Sequence, residues 1–89
     1  MKKLNEITAG ELLKELETNY NFNMVKDCVA VSFYSNHKSD GFIIGRFYSH
    51  DTIGAWLYNR TVKAFNFSVM ESKTFGNKGI DIDIVLNID

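Results

Sequence analysis

Proline is absent from this chain of 89 residues, so no cis-proline isomerisation slows its folding. A single cysteine, Cys28, excludes an internal disulfide. It lies in the apolar run Cys28-Val29-Ala30-Val31, which predicts a small core residue rather than a reactive thiol. Histidines occur only at positions 37 and 50, and with one cysteine they supply no zinc-ligand spacing. No apolar run approaches the roughly 20 residues that a membrane span needs. Met1-Lys2-Lys3 is followed by Leu4-Asn5-Glu6 rather than an apolar signal core, so a cytoplasmic, reducing setting is expected. Charge of one sign is lacking too: 10 basic against 11 acidic side chains leave a net −1. That balance argues against a strongly basic nucleic-acid binder and against a heavily acidic mimic of one.

Catalytic patterns are equally scarce. Ser49-His50-Asp51 sets three catalytic residue types side by side, but such groups meet in space rather than in sequence, so it reads as a polar turn. Gly76-Asn77-Lys78-Gly79 lacks the spacing of a phosphate loop and reads as a turn between strands. The chain is therefore expected to be non-enzymatic, with no metal and no cofactor.

What is present is enough for one domain over residues 1–89. Hydrophobic residues make up 45% of the chain and twelve are aromatic, sufficient for a single small core. The period-two segment Ile80, Ile82, Ile84, Leu86 and Ile88, interleaved with Asp81, Asp83, Val85, Asn87 and Asp89, predicts a strand with one apolar and one mostly acidic face. Thr8 and Glu11 form a Thr-x-x-Glu capping box, and Ile7 and Leu12 have the spacing of a hydrophobic staple. Leu12, Leu13, Leu16 and Tyr20 continue as one stripe, which predicts a helix at about residues 9–20, ended by asparagines.

Further along, Val29, Val31 and Phe33 alternate with Ala30, Ser32 and Tyr34 as a first strand. A turn over Asn36–Gly41 leads to a second, Phe42–Ser49. A later strand begins at Phe65, Phe67 and Val69 and runs towards Phe75. Residues 50–62 fit either a strand over Thr52–Tyr58 or a short helix capped by Asp51; their Thr, Ile, Trp and Tyr favour strand.

The fold class expected is thus α+β: one N-terminal amphipathic helix packed on a four- to five-stranded antiparallel sheet, most simply a meander. The Ile80/Ile82/Ile84/Leu86/Ile88 face, with Val29, Val31, Phe33 and Phe67, should lie under the helix. One helix covers one face of a sheet, so the other face is either covered by residues 50–62 or left for a partner. On it Tyr34, Arg46 and Tyr48 are expected together, with Ile44 beside them and Ile43, Gly45 and Phe47 turned away. Asp81 and Asp83 should form an acidic stripe, neighboured by Lys63, Lys73 or Lys78, on a final strand that could be a sheet edge.

Tyrosine and arginine anchor protein interfaces. The leading expectation is a protein-binding module that uses Tyr34, Arg46, Tyr48, Trp56, Tyr58, Arg60, Asp81 and Asp83 against a host protein or a second copy of itself, as a homodimer. The alternative is a single-strand nucleic-acid binder in which Arg46, Arg60 and Lys63 line a groove beside Tyr48, Trp56 and Tyr58. In length and composition, though in no motif, the chain resembles the small accessory proteins of phages and mobile elements. These include inhibitors of host or defence proteins such as CRISPR-type effectors, and the resemblance implies blockade of such a protein.

Overall fold

A computed structural model describes residues 2–24, 27–36, 43–48, 53–71 and 78–88. The expectations placed on residues 37–42, on Ser49-His50-Asp51, on Lys73, Phe75, Gly76 and Asn77, and on Asp89 lie outside the described residues. The elements run α1 (Ala9–Tyr20), β1 (Cys28–Ser35), β2 (Ile43–Tyr48), α2 (Ala55–Tyr58), β3 (Val62–Glu71) and β4 (Lys78–Leu86).

Helix α1 begins as its sequence dictates. The Glu11 N–H donates to Thr8 Oγ1 at 3.2 Å, and the Thr8 N–H donates to Glu11 Oε1 at 3.1 Å. Two otherwise orphan backbone donors are thereby satisfied. Lys2 Nζ sits 2.8 Å from Glu11 Oε2. Hydrogen bonds from Lys2 first, then from the Thr8 backbone and hydroxyl, hold the Glu11 carboxyl at about 2. The helix stops at Asn21, whose backbone is left-handed at φ 52°, with its N–H returned to the Glu17 carbonyl; asparagine tolerates that conformation better than most residues.

The sheet departs from the meander. Its strand order is β2-β1-β4-β3, and β4 runs parallel to β1, so the four-stranded sheet is mixed rather than purely antiparallel. β4 is therefore central and not an edge. The physical reason lies in which strand gains most from having two neighbours. Ile80, Ile82, Ile84 and Leu86 are all buried, at 3% exposure or less, and each such side chain contributes about 1.5–3 kcal/mol when fully covered. β2 has no comparable row: a glycine, Gly45, stands opposite Phe33, where the Phe47 ring folds over it and meets Phe33 edge-on at 5.8 Å. The strand with the weaker apolar face takes the edge.

The registers stack the core directly. Val29, Val31 and Phe33 stand opposite Ile80, Ile82 and Ile84. On the other side of β4, Val69, Phe67 and Phe65 stand opposite the same three isoleucines. Leu12, Leu13 and Leu16 of α1 pack on this face, as expected from their spacing. Phe67 and Ile88 are half-buried against the same core, and Tyr20 and Phe22 stack on Phe67 at 4.5 and 5.8 Å. The segment before α1 is tied to the start of β3: the Asn5 N–H donates to the Val62 carbonyl, the Val62 N–H to that of Ile7, and the Ala9 N–H to that of Arg60.

Residues 55–58 form a short helix rather than the strand favoured by their composition. Ile53 and Leu57 are buried in the core shared with α1. Tyr58 lies so close to Gly10 that a Cβ there would come within 3.0 Å of its ring. Burial, and secondarily the Glu17 carboxylate, push the Tyr58 phenol upward. Ile53, ahead of the cap, and Leu57, within the helix, both enter the core, while Trp56 stays exposed.

Candidate partner-binding face

The face of the sheet opposite α1 carries Cys28, Ala30, Ser32 and Tyr34 from β1, Arg46 and Tyr48 from β2, Asp81 and Asp83 from β4, and Asn66 and Ser68 from β3. This follows from the pairings Ala30↔Tyr48, Ser32↔Arg46, Ala30↔Asp81, Ser32↔Asp83, Asn66↔Asp83 and Ser68↔Asp81. Both helices give their buried residues to the other side, and most of the residues on this side are exposed or half-buried. Among the described residues, the middle of the chain does not cover it.

Arg46 organises the face. Its Nη1 donates to Ser32 Oγ at 2.7 Å and lies 3.6 Å from Asp81 Oδ1. The guanidinium thus spans three strands, from β2 across β1 to β4. Its carbon stands 5.7 Å from the centre of the Tyr48 ring, within cation–π range. The Arg46 pKa is raised above the usual arginine value, chiefly by hydrogen bonding with Tyr48, which together with the Asp81 carboxylate outweighs the opposing effect of desolvation. Ser32 is fully buried although it belongs to this face, with the guanidinium bonded above it. Further along β1, Tyr34 Oη donates to Asp83 Oδ1 at 3.4 Å. The two aspartates therefore have separate partners, one a cation and one a phenol. A shallow depression of about 400 Å³ opens between Cys28, Ala30, Arg46, Ser68 and Asp81.

Five of the residues singled out in the sequence, Tyr34, Arg46, Tyr48, Asp81 and Asp83, are brought together here. Trp56, Tyr58 and Arg60 are not: they lie in and after α2, with α1. Asp81 and Asp83 have Ser68 and Asn66 as β3 neighbours, and Lys63 stands at the far end of β3, near Val85 and Leu86. Cys28 is exposed rather than buried, because it occupies the Ala30 side of β1 and not the Val29 side. A β-bulge between Phe33 and Tyr34 sets Ile43 opposite Tyr34; Ile43 is exposed and Ile44 packs against the core, the reverse of simple alternation. Ser32 was legible only as a polar residue in step with Tyr34; its role under Arg46 required the strand pairing.

Among the described residues, no group of three His, Cys, Asp or Glu could hold a metal ion, and no helix is long and apolar enough to cross a membrane. The fold and this face define a small α+β domain with a mixed four-stranded sheet, covered by helices on one side only. No protein-family model, curated protein or solved structure matches the chain.

Proposed function

We propose that the protein is a non-enzymatic binding module that recognises another protein through the face built on Arg46. The carrying observation is the concentration on one uncovered face of Tyr34, Tyr48, Arg46, Asp81 and Asp83, with Arg46 held in place by Ser32 and Asp81. Tyrosine and arginine supply contact area and directed hydrogen bonds at little ordering cost when their rotamers are already fixed. The mixed signs suit a partner surface that itself alternates charge, which would set orientation and on-rate more than affinity. A nucleic-acid reading is less well supported: Arg46 is engaged by Asp81, and Arg60 and Trp56 lie on the side of the sheet that carries the helices.

Acting in the cytoplasm, such a module would work by occupying a functional surface of its target. If carried by a phage or mobile element, it would block a host or defence protein in this way. The test is affinity capture from a lysate of the organism that carries the gene. A specific protein should be retained by the native chain and by Trp56→Ala, and lost with Arg46→Glu or Tyr48→Ala. Retention unaffected by both face variants, or no specific retention by the native chain, would refute the reading.

A further inference from the structure

The open face of the sheet is banded. The pairings Tyr34↔Ile43, Tyr34↔Val85 and Ala64↔Val85 set Ile43, Tyr34, Val85 and Ala64 in one row across all four strands. The next row on this face is Arg46, Ser32, Asp83 and Asn66. Apart from one phenol oxygen the first row is apolar, and it is open: Ile43 is 51% exposed, Ala64 is exposed, and Tyr34 and Val85 are half-buried.

The two register shifts of the described sheet both adjoin this row. The bulge at Phe33/Tyr34 sets Ile43 opposite Tyr34 while Ile44 packs against the core. The shift between Val62 and Ala64 buries Val62 opposite Leu86, places Ala64 opposite Val85 and leaves Lys63 out of the pairing. Bulges recur beside functional sites, where they re-aim side chains.

Charge borders the row on one side. Arg46 is engaged by Asp81. Asp83 accepts from the neutral Tyr34 hydroxyl at 3.4 Å, and among the described residues no cation lies within ion-pair distance of it. Of Arg46, Asp81 and Asp83, one negative charge is thus left over. Along β4 it stands two residues from Val85, about 7 Å from the apolar row.

Backbone chemistry selects the kind of occupant. A sheet face, unlike an edge, offers side chains but no main-chain ladder. An extended segment lying flat on it would bury N–H and C=O groups without partners, whereas a helix satisfies its own. A helix there would complete a three-layer arrangement, with α1 on the far side of the sheet. The row spans about 14 Å from the first strand to the fourth, the length of about nine helical residues.

We propose that the row Ile43–Tyr34–Val85–Ala64 is the anchor of the binding face, and that its occupant is an amphipathic helix of the partner protein. The apolar stripe of that helix lies along the row, and a lysine or arginine on its flank meets Asp83. This rests on the protein-binding reading of the face and supplies the chemistry of the partner.

Two stapled amphipathic peptides of about 14 residues, long enough to span the row, test this by amide NMR titration of the full chain. Both carry leucine at helical spacing; one has lysine on its flanks and the other glutamate. Shifts should saturate at Tyr34, Ile43, Ala64, Asp83 and Val85, with the lysine peptide bound roughly tenfold more tightly. Asp83→Asn should remove that preference while keeping the binding, and Ile43→Ser should weaken both peptides. Equal affinity of the native chain for the two peptides overturns the proposal, as do shifts centred on Trp56 and α2, or no saturable shift with either peptide. Capture from lysate that is lost with Arg46→Glu but indifferent to Ile43→Ser overturns this anchor and leaves the protein-binding reading standing.

Discussion

The open face exists because α2 docks beside α1 instead of across the sheet, and the contact between Gly10 and Tyr58 tests that placement directly. Gly10 lies in the first turn of α1. A methyl group there would stand 3.0 Å from Tyr58 Cδ1 and 3.5 Å from its Cβ, against about 3.5–4.0 Å for an unstrained carbon contact. The ring must therefore withdraw by about half an ångström. Overpacking of this kind costs about 1–3 kcal/mol, and the half-exposed position of Tyr58 selects the lower end. Replacing glycine by alanine in a helix gains about 0.5–1 kcal/mol. In the native background the two effects should nearly cancel for Gly10→Ala. In a Tyr58→Ala background the clash is absent, and the same substitution should stabilise by about 0.5–1 kcal/mol. The coupling between the two positions is then about 1 kcal/mol.

Urea denaturation of the four proteins, followed by far-UV circular dichroism, reads this coupling. For so small a domain the denaturant slope is about 1 kcal/mol/M, so the midpoints shift on the scale of 1 M. Fluorescence of Trp56, the only tryptophan, gives a second record from within α2 itself. A coupling within about 0.3 kcal/mol of zero would mean that α2 does not rest on α1, and the argument for an uncovered second face would fall with it.

Within α2, Leu57→Ala should cost about 2–5 kcal/mol, because Leu57 is 1% exposed in the shared core. Trp56→Ala, at a 57% exposed position, should stay within about 0.5 kcal/mol of native; urea midpoints separate the two, and equal costs would contradict the assigned helix face. Glu11 has its folded carboxyl lowered from 4.5 to about 2 by Lys2 and Thr8. Its contribution is therefore complete above about pH 4.5 and disappears as pH falls through about 2. Thermal melts across that window should show native and Glu11→Gln proteins converging towards low pH. A gap that widens on acidification would reverse the sign and refute the capping assignment.

The parts of this fold that are local in sequence could be read from it. Thr8, Glu11, Ile7 and Leu12 act within one helical turn, so their spacing alone placed α1 at Ala9–Tyr20. The isoleucines of β4 identify themselves by period two and do form the buried row. Strand order was not legible, since it is decided by competition among strands for the centre, and Gly45 and the bulge at Phe33/Tyr34 weaken β2 in ways that period two does not register. Residues 53–58 carry β-forming types, yet Ala55–Tyr58 form a turn of helix and Ile53 and Leu57 are buried in the core beside α1, a tertiary setting that local propensity does not register. The grouping of Tyr34 with Arg46 and Tyr48 followed from the hairpin of β1 and β2. The bridge from Arg46 to Asp81 crosses a strand boundary that only the mixed topology creates.

β4 comes after every other described element in chain order, yet it is the keystone of the layer. The β1–β2 ribbon and β3 are joined to each other only through it. Until it is in place, Val29, Val31 and Phe33 lack the row of isoleucines that completes their surroundings, and no smaller part of the sheet can stand as a stable intermediate. Formation of the four-stranded layer consequently depends on β4 taking its place between the β1–β2 ribbon and β3, and a substitution that weakens β4 should loosen both halves together.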